Sequence, residues 1–336
     1  MRLAPVIQEL LVFGDSLSDG GNARAALGDG AFPCPPHWNN RRCNGPLWVE
    51  HLAERLGLAP LLPSLAGGGN NAFGGARSGS GTTPKGLPNL LTQVEGFLRE
   101  LDGQQREGVE PPRETRDPGA APPLAQAAGR LSSGPLVVIR AGANDYLDAP
   151  LSPAVAHAVN RHLLAAVAAL ADRGLRQFLV PNELPWGFCP IALPGVGEPQ
   201  RRAVNALIAQ QNIALHAALE ELAARRGLLV LQPDFHGLFL EIQAKPEAWG
   251  FRELARPVLG AGGQGTGVME GGPSLAGSAG SCLETGEGGV PDAAGFLWWD
   301  AWGHFTSAFH RLLAGRAVEI LREVAVIKCH ATDSGI

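Results

Sequence analysis

The sequence is poor in cysteine, and the five that it has are widely spaced. Cys34, Cys43, Cys189, Cys282 and Cys329 form no C-x-x-C pair, which argues against a zinc ribbon and a thioredoxin-type site. In an oxidising compartment the first two could close a short loop, but the odd number favours free thiols. A scaffold built on disulfides is therefore excluded, and we expect neither a metal nor another cofactor.

The sequence also lacks long apolar runs and an excess of positive charge. No uninterrupted apolar stretch of about 18 residues occurs, so no transmembrane segment is expected. The N-terminus lacks the features of a signal peptide, so the default expectation is a cytoplasmic protein, with secretion left open. The 27 Lys and Arg against 32 Asp and Glu form no basic stripe, which argues against binding to nucleic acid or to an anionic membrane surface. The oligomeric state is not predicted.

The 336 residues, 45% of them hydrophobic, suffice for a sizeable core. Short apolar runs bounded by polar residues, Gly or Pro predict strands buried on both faces, at 10–13, 136–139, 178–180 and 228–231. A weaker candidate strand, at 58–62, is interrupted by a proline. Helical patterns lie between the runs, at 46–56, 153–173, about 204–222 and about 306–324. This alternation predicts a parallel sheet with helices on both faces and a site at the carboxyl ends of its strands.

Two stretches interrupt the alternation of strands and helices. Residues 104–123 contain five prolines, and residues 260–289 contain 12 glycines, so both are predicted to be irregular insertions. The last helix follows the second stretch, so neither separates two cores. The sequence therefore predicts one domain over 1–330 and a tail over 331–336.

Two of the predicted strands are followed by side chains that suit catalysis. Ser16 comes directly after the first strand, where Gly14 permits the tight turn of a nucleophile elbow. The alternative is a strand-to-helix turn in which Ser16 or Asp19 caps the helix. Asn144 follows the second strand, where its amide can face an oxyanion, or it belongs to a plain Asn-Asp turn.

Two further segments supply backbone donors and a candidate base. Asn70 to Ala76 contains adjacent glycines whose N–H groups can point at an oxyanion. His304 lies four residues after Asp300 in a Trp-rich loop before the last helix, where an acid can fix the imidazole tautomer, although a core or capping histidine is the alternative. The tryptophans of this loop are predicted to line an acyl pocket, with core packing as the alternative; they are Trp298, Trp299 and Trp302.

These four segments resemble the GDSL (SGNH) hydrolase family, in its bacterial lipase-like branch. The four sequence blocks of that family carry Ser, Gly, Asn and His, in the same order along the chain as here. The resemblance covers most of the chain apart from the two insertions, and it extends to flanking motifs such as 44–50 and 234–239. It implies a flavodoxin-like three-layer α/β/α sandwich with a mostly parallel central sheet. It further implies a catalytic set and an oxyanion hole: Ser16 as nucleophile, His304 as general base, Asp300 as the acid that orients it, and the Ser16 N–H, the Gly75 N–H and the Asn144 side chain as oxyanion donors, with Gly74 as the alternative glycine.

The chain departs from the family pattern around the histidine. The family has the acid three residues before the histidine and usually a proline after it, whereas here Gly303 appears inserted and Phe305 follows. Whether Asp300 reaches His304 is therefore open. Gly303 absorbs the extra residue as a kink, or the site works as a weaker Ser–His dyad.

The resemblance implies hydrolysis of carboxylic esters, through an acyl-enzyme on Ser16 and without a cofactor. The expected substrate is a small-molecule or lipid ester, of which the sequence gives neither the acyl length nor the alcohol. Two alternatives are kept: a catalytically impaired protein that uses the same fold for binding, and a carbohydrate O-acetyl esterase.

Overall fold

A parallel four-stranded sheet forms the centre of the computed structural model, which describes residues 7–28, 32, 34–106, 134–148, 152–190, 197–260 and 292–333. The strand order is β1-β2-β3-β4. The strands, all predicted from their apolar runs to within one residue at each end, are β1 (Leu10–Gly14), β2 (Leu136–Arg140), β3 (Gln177–Leu179) and β4 (Leu229–Leu231).

The described residues form eight α-helices and three short 3₁₀ segments. The helices are α1 (Asn22–Leu27), α2 (Trp48–Arg55), α3 (Leu90–Arg106), α4 (Ala143–Asp148), α5 (Pro153–Asp172), α6 (Glu198–Arg226), α7 (Phe235–Ala244) and α8 (Ser307–Asp333). The 3₁₀ segments are Ser64–Ala66, Trp186–Phe188 and Pro246–Trp249. The predictions of α2, α5, α6 and α8 are confirmed. The helix α1 was weighed only as the alternative for the turn after Ser16, and α3, α4 and α7 were not expected.

Helices cover both faces of the sheet because successive side chains of each strand point to opposite sides. Leu10 and Val12 of β1 pack into a core with α2, α7 and α8. Leu11 and Phe13 pack into a second core with α3, α5 and most of the apolar face of α6. The described structure is thus a three-layer α/β/α arrangement with a parallel sheet, as the family resemblance implies.

The free edge of β1 is covered by a segment that was not predicted. Residues 58–62 form no strand, since Pro60 interrupts them and offers no N–H for pairing. Instead, residues 69–73 run along β1: they bond to the N–H and C=O of Val12 at 2.9 and 2.7 Å and donate to the Gly14 carbonyl at 3.1 Å. This pairing brings the end of the segment to the carboxyl edge of the sheet.

Two boundaries of the predicted domain organisation need correction. Gln104 to Arg106, assigned to the first insertion, form the last turn of α3. Residues 331–333, assigned to the tail, belong to the end of α8. Residues 107–123 and 261–289 of the two insertions lie outside the described residues, and the single domain stays a prediction.

Among the described helices, α5 alone has the length and composition that would suit a membrane span, with a mean hydropathy of 1.3. Its buried apolar side chains contribute to the core that it shares with α3 and α6. We therefore describe α5 as a core helix, and the described residues contain no clear transmembrane segment.

The cysteines with described side chains are free thiols; they are Cys34, Cys43 and Cys189. Burial raises the pKa of the Cys43 thiol to about 12, so this thiol stays protonated at neutral pH. It donates a hydrogen bond to the carbonyl of Phe305, at an S···O distance of 3.3 Å.

We expect Gly14→Ala and Gly96→Ala to change stability in opposite directions. A Cβ at Gly14 would lie 2.2 Å from the Arg140 carbonyl oxygen of the adjacent strand, so the sheet must shift, at a cost of about 1–3 kcal/mol or more. A Cβ at Gly96 in α3 meets nothing within 4 Å, so alanine should raise the unfolding free energy by about 0.5–1 kcal/mol. Urea unfolding measures both, and equal effects of the two substitutions would contradict this packing.

Candidate active site

Ser16 lies in the turn that follows β1, at the carboxyl edge of the sheet. The turn is closed by hydrogen bonds to Asp15, whose carbonyl accepts from the Ser18 N–H at 3.0 Å and whose carboxylate accepts from the Leu17 N–H at 3.0 Å. This leaves the Ser16 side chain partly exposed, and its Oγ is 2.9 Å from Nε2 of His304.

The other ring nitrogen of His304 faces Asp300. This answers the question, which the sequence left open, of whether Asp300 reaches the histidine. Nδ1 is 2.8 Å from each carboxylate oxygen, and the carboxylate also accepts from the N–H groups of Trp302 at 2.9 Å and His304 at 3.2 Å. Asp300 is 4% exposed. Burial raises the pKa of Asp300, but the charge and hydrogen bond of His304 outweigh it and hold the pKa below its usual value. Asp300 is therefore a carboxylate at neutral pH.

Gly303 accommodates the extra residue between the acid and the histidine. Its φ of +91° is a conformation that side chains disfavour. The N–H groups of Trp299 and Asp300 both point to the His304 carbonyl, at 2.7 and 3.4 Å, so one side of this turn holds one residue more than the other, in the manner of a bulge. A Cβ at Gly303 would lie 2.4 Å from Sγ of Cys189, so the position requires glycine for space as well.

The two candidate glycines differ in their hydrogen bonds. The Gly74 N–H donates to Asp19 at 2.7 Å. The N–H groups of Gly75 and Ser16 have no hydrogen-bond partner among the described residues, and Gly75 has a φ of +80°. Asn144 is partly buried, and its amide donates one hydrogen to the Ala76 carbonyl at 2.9 Å, which leaves its second N–H hydrogen available.

Asp19 joins the loop after Ser16 to the glycine turn. Besides Gly74, its carboxylate accepts from three consecutive N–H groups at the start of α1, those of Gly21 at 2.8 Å, Asn22 at 2.6 Å and Ala23 at 3.0 Å. Burial raises its pKa, against the lowering effect of these hydrogen bonds. Asp19 was weighed as the N-cap of this helix, but the N-cap position is Gly21, and Asp19 accepts its hydrogen bonds from a position two residues earlier in the chain. Its bond to Gly74 is a contact that sequence reasoning missed.

A buried ionic network lies beneath Ser16, and sequence reasoning missed it. Arg140, at the end of β2, contacts Asp15 at 2.6 Å and Glu183 at 2.8 Å, and all three residues are at most 5% exposed. Burial alone would lower the pKa of Arg140, but the two carboxylates hold it above its usual value. Glu183 also accepts from the Trp186 indole at 2.8 Å. The network fixes the turn that carries Ser16 through the neighbouring Asp15.

The tryptophans expected to line an acyl pocket divide into two kinds. Trp298 and Trp299 are at most 1% exposed and pack in the core, so their assignment to a pocket is wrong. Trp298 stacks on Phe305 with ring centroids 4.4 Å apart. Trp302 is 41% exposed beside the histidine.

His37 is a buried histidine close enough to Asp300 to interact with its charge. Its Nδ1 accepts a hydrogen bond from the Trp299 indole at 2.9 Å. Burial lowers the pKa of His37 to about 4, although the charge of Asp300 acts in the opposite direction. His37 is therefore neutral at physiological pH, which fits its role as an acceptor. It also lines a cavity of about 480 Å³, together with Arg24, Cys34, Pro35, Pro36, Trp38, Asn39, Asn40 and Asn44.

Comparison with known proteins finds a match to the GDSL-like lipase/acylhydrolase family model over residues 10–317. A GDSL esterase/lipase of Arabidopsis thaliana is 27% identical over 251 residues, which cover 66% of this chain and 62% of that protein. A phosphatidylcholine-sterol acyltransferase of Aeromonas hydrophila is 27% identical over 144 residues, which cover 43% of this chain and 34% of that protein. The chain thus spans less than two thirds of these curated relatives.

Among solved structures, an alpha/beta hydrolase enzyme from the metagenome of Lake Arreo, Spain, is 15% identical to this chain. The match covers 74% of this chain and 86% of that one, with a TM-score of 0.34.

We expect Arg140→Met to destabilise the protein strongly and Arg173→Met to have almost no effect. The first substitution leaves two buried carboxylates without a cation, which costs about 3–5 kcal/mol. The second removes an exposed ion pair with Asp102, which water already screens. Chemical unfolding of both variants measures the difference, and a mild effect of Arg140→Met would show that the network contributes little.

Proposed function

The chain belongs to the GDSL-like lipase/acylhydrolase family, which supports ester hydrolysis in general, and we propose that it cleaves carboxylic esters through an acyl-enzyme on Ser16. The observation that carries this proposal is the continuous hydrogen-bonded chain from Asp300 through His304 to Ser16, with distances of 2.8 and 2.9 Å. A nucleophile, a base and an acid that orients the base are the elements that acyl transfer to a serine requires.

In the first half of the proposed reaction, Oγ of Ser16 attacks the ester carbonyl carbon while Nε2 of His304 takes the hydroxyl proton. The carbonyl π electrons move to oxygen and give a tetrahedral oxyanion. As the oxyanion collapses, the bond to the alcohol breaks and His304 returns the proton to the leaving oxygen. Asp300 accepts a hydrogen bond from the Nδ1–H group throughout, without taking the proton, and stabilises the imidazolium that forms.

In the second half, a water molecule replaces the alcohol. His304 takes a proton from the water, whose oxygen attacks the acyl carbon. The second tetrahedral intermediate then releases the acid, and the proton returns to Oγ of Ser16. Deacylation thus retraces the steps of acylation with water in place of the alcohol, and it regenerates the free hydroxyl of Ser16.

We propose that the oxyanion is held by the N–H groups of Ser16 and Gly75 and by the side chain of Asn144. The hydrogen bonds favour Gly75 over Gly74, because the Gly74 N–H already donates to Asp19. A donor of this kind stabilises the charge that develops on the carbonyl oxygen in the transition state.

The contact between Asp300 and His304 weakens the reading of this chain as an impaired binding protein. That interpretation rested on the irregular spacing of the acid and the histidine, which Gly303 accommodates, and on the long Gly-rich stretch before them, most of which lies outside the described residues. For the substrate we propose a small-molecule or lipid ester. Acetylated carbohydrates are a narrower case, which the preferred acyl length will test.

We expect the protein to hydrolyse p-nitrophenyl esters and Ser16→Ala to abolish turnover above background. The series from acetate to palmitate should show an optimum in acyl length, and a sharp preference for acetate would favour an acetylesterase over a lipase-like enzyme. Ser18→Ala is the matched control, because Ser18 lies two residues away and its Oγ accepts from the Trp48 indole at 3.1 Å. Turnover that persists in Ser16→Ala would rule out Ser16 as the nucleophile.

We expect Asn144→Ala to lower kcat by about 10²–10³-fold with a small effect on KM, since it removes one oxyanion donor. Asn160→Ala is the control, because this buried asparagine donates to the Gln211 carbonyl and makes no hydrogen bond to Ser16, Gly75 or Asn144. Steady-state kinetics on the best p-nitrophenyl ester measures both variants. Unchanged kcat in Asn144→Ala would remove this residue from the oxyanion hole.

A further inference from the structure

We propose that Asp145, Ser78 and His162 form a positioning network that holds the two movable parts of the oxyanion hole together. One part is the glycine turn, residues 74–78, and the other is α4 with Asn144. The inference rests on the proposed function, and it assigns a role to three polar residues that the ester chemistry does not use.

The network consists of short hydrogen bonds between separate elements. The two carboxylate oxygens of Asp145 accept from the hydroxyl of Ser78 at 2.7 Å and from its N–H at 2.9 Å. Next to Asp145, the amide of Asn144 donates to the carbonyl of Ala76 at 2.9 Å. Two consecutive residues of α4 are thus joined to two positions of the glycine turn, which fixes the distance between Asn144 and Gly75.

His162 ties this junction to the core of the protein. Its Nδ1 is 2.9 Å from Oγ of Ser78, and it lies on α5, which packs on the sheet. The Ser78 hydroxyl has one hydrogen, which it donates to Asp145 because an ionised carboxylate can only accept, so Nδ1 of His162 carries the hydrogen that it donates to Oγ. The direction of donation therefore runs from His162 through Ser78 to Asp145.

The same residue types occur in a catalytic triad, but the order here excludes that role. In a triad the histidine stands between the serine and the acid and takes the serine proton. Here Ser78 stands between His162 and Asp145, and the serine is 0% exposed. A buried hydroxyl that already donates to a carboxylate cannot reach a substrate, so the network orients other groups.

The oxyanion hole needs such a support because its own parts hold their positions weakly. Gly75 adopts a φ of +80° that glycine leaves readily, and α4 has only six residues. An oxyanion donor must lie about 2.7–3.1 Å from the developing charge, and a displacement of about 1 Å costs up to about 10²-fold in rate. Bonds from Asp145 to both the backbone and the side chain of Ser78 restrict that displacement.

The first experiment measures kcat and KM of Asp145→Ala, Ser78→Ala and Asn160→Ala on the best p-nitrophenyl ester. Asp145→Ala should lower kcat by about 10²-fold with little change in KM, because both ties to Ser78 are lost. The decrease in kcat should be smaller for Ser78→Ala, because the N–H of residue 78 still donates to Asp145. Asn160→Ala changes a residue of α5 two positions before His162. This variant should keep full activity even where its Tm falls by as much as that of Asp145→Ala.

A double-mutant cycle separates positioning from general destabilisation. If Asp145 acts by placing Asn144 and Gly75, adding Asp145→Ala to Asn144→Ala should cost less than about 10-fold, because one of the two placed donors is already gone. A full and additive 10²-fold loss in the double mutant would overturn the proposal. So would a loss in Asp145→Ala that appears only in KM.

Nuclear magnetic resonance gives a readout that does not depend on activity. The side-chain amide resonances of Asn144, identified by their absence in Asn144→Ala, should shift and exchange faster in Asp145→Ala, and stay unchanged in Asn160→Ala. Unchanged resonances in Asp145→Ala would overturn the proposal. Equal turnover by the wild type and Ser16→Ala would instead contradict the proposed function, and the resonances would still decide whether the network positions Asn144.

Discussion

The hydrogen bonds that β1 makes on its two sides determine where the candidate site lies. On one side β1 pairs in register with β2, so that Gly14 stands opposite Arg140. On the other side the segment 69–73 bonds to Val12 and Gly14. Because β1, β2 and the segment 69–73 run in the same direction, their carboxyl ends meet at one edge of the sheet. Ser16, the glycine turn and Asn144 each follow one of them by a few residues.

The polar groups near this edge are expensive to bury, and their hydrogen bonds and ion pairs offset part of that free-energy cost. Arg140 meets Asp15 and Glu183, Asp19 accepts four backbone N–H groups, and Asp300 faces His304. A buried carboxylate without such partners would raise its pKa and lose its charge. The lowered pKa of Asp300 is the case with the clearest chemical consequence, because the proposed reaction needs this group ionised.

The sequence predicts the parts of the fold that depend on local pattern. Strands buried on both faces appear as short apolar runs, and all four were located in this way. The amphipathic helix α3 was missed although its apolar residues recur at helical spacing, at Leu90, Val94, Phe97 and Leu101. The helices α1 and α4 have six residues each, too few for a periodic pattern.

Contacts between residues distant in the chain lie beyond such patterns. The segment 69–73 consists of Gly, Asn, Ala and Phe and becomes a sheet edge only because β1 is beside it. Arg140 and Glu183 are 43 residues apart, and Ser78 and His162 are 84 apart. From the sequence alone, charged and polar residues of this kind are predicted to lie on the surface. For His304, the local motif predicted the residue but not its contact with Asp300, which depends on the conformation of Gly303.

The most direct test of the central claim is covalent labelling with a p-nitrophenyl alkylphosphonate, read by intact mass and peptide mapping. An activated serine attacks phosphorus and displaces p-nitrophenolate, whereas an ordinary serine does not react. We predict a single adduct on Ser16, absent in Ser16→Ala and formed far more slowly in His304→Ala. A folded protein that forms no adduct, or forms it on another residue, would contradict the account.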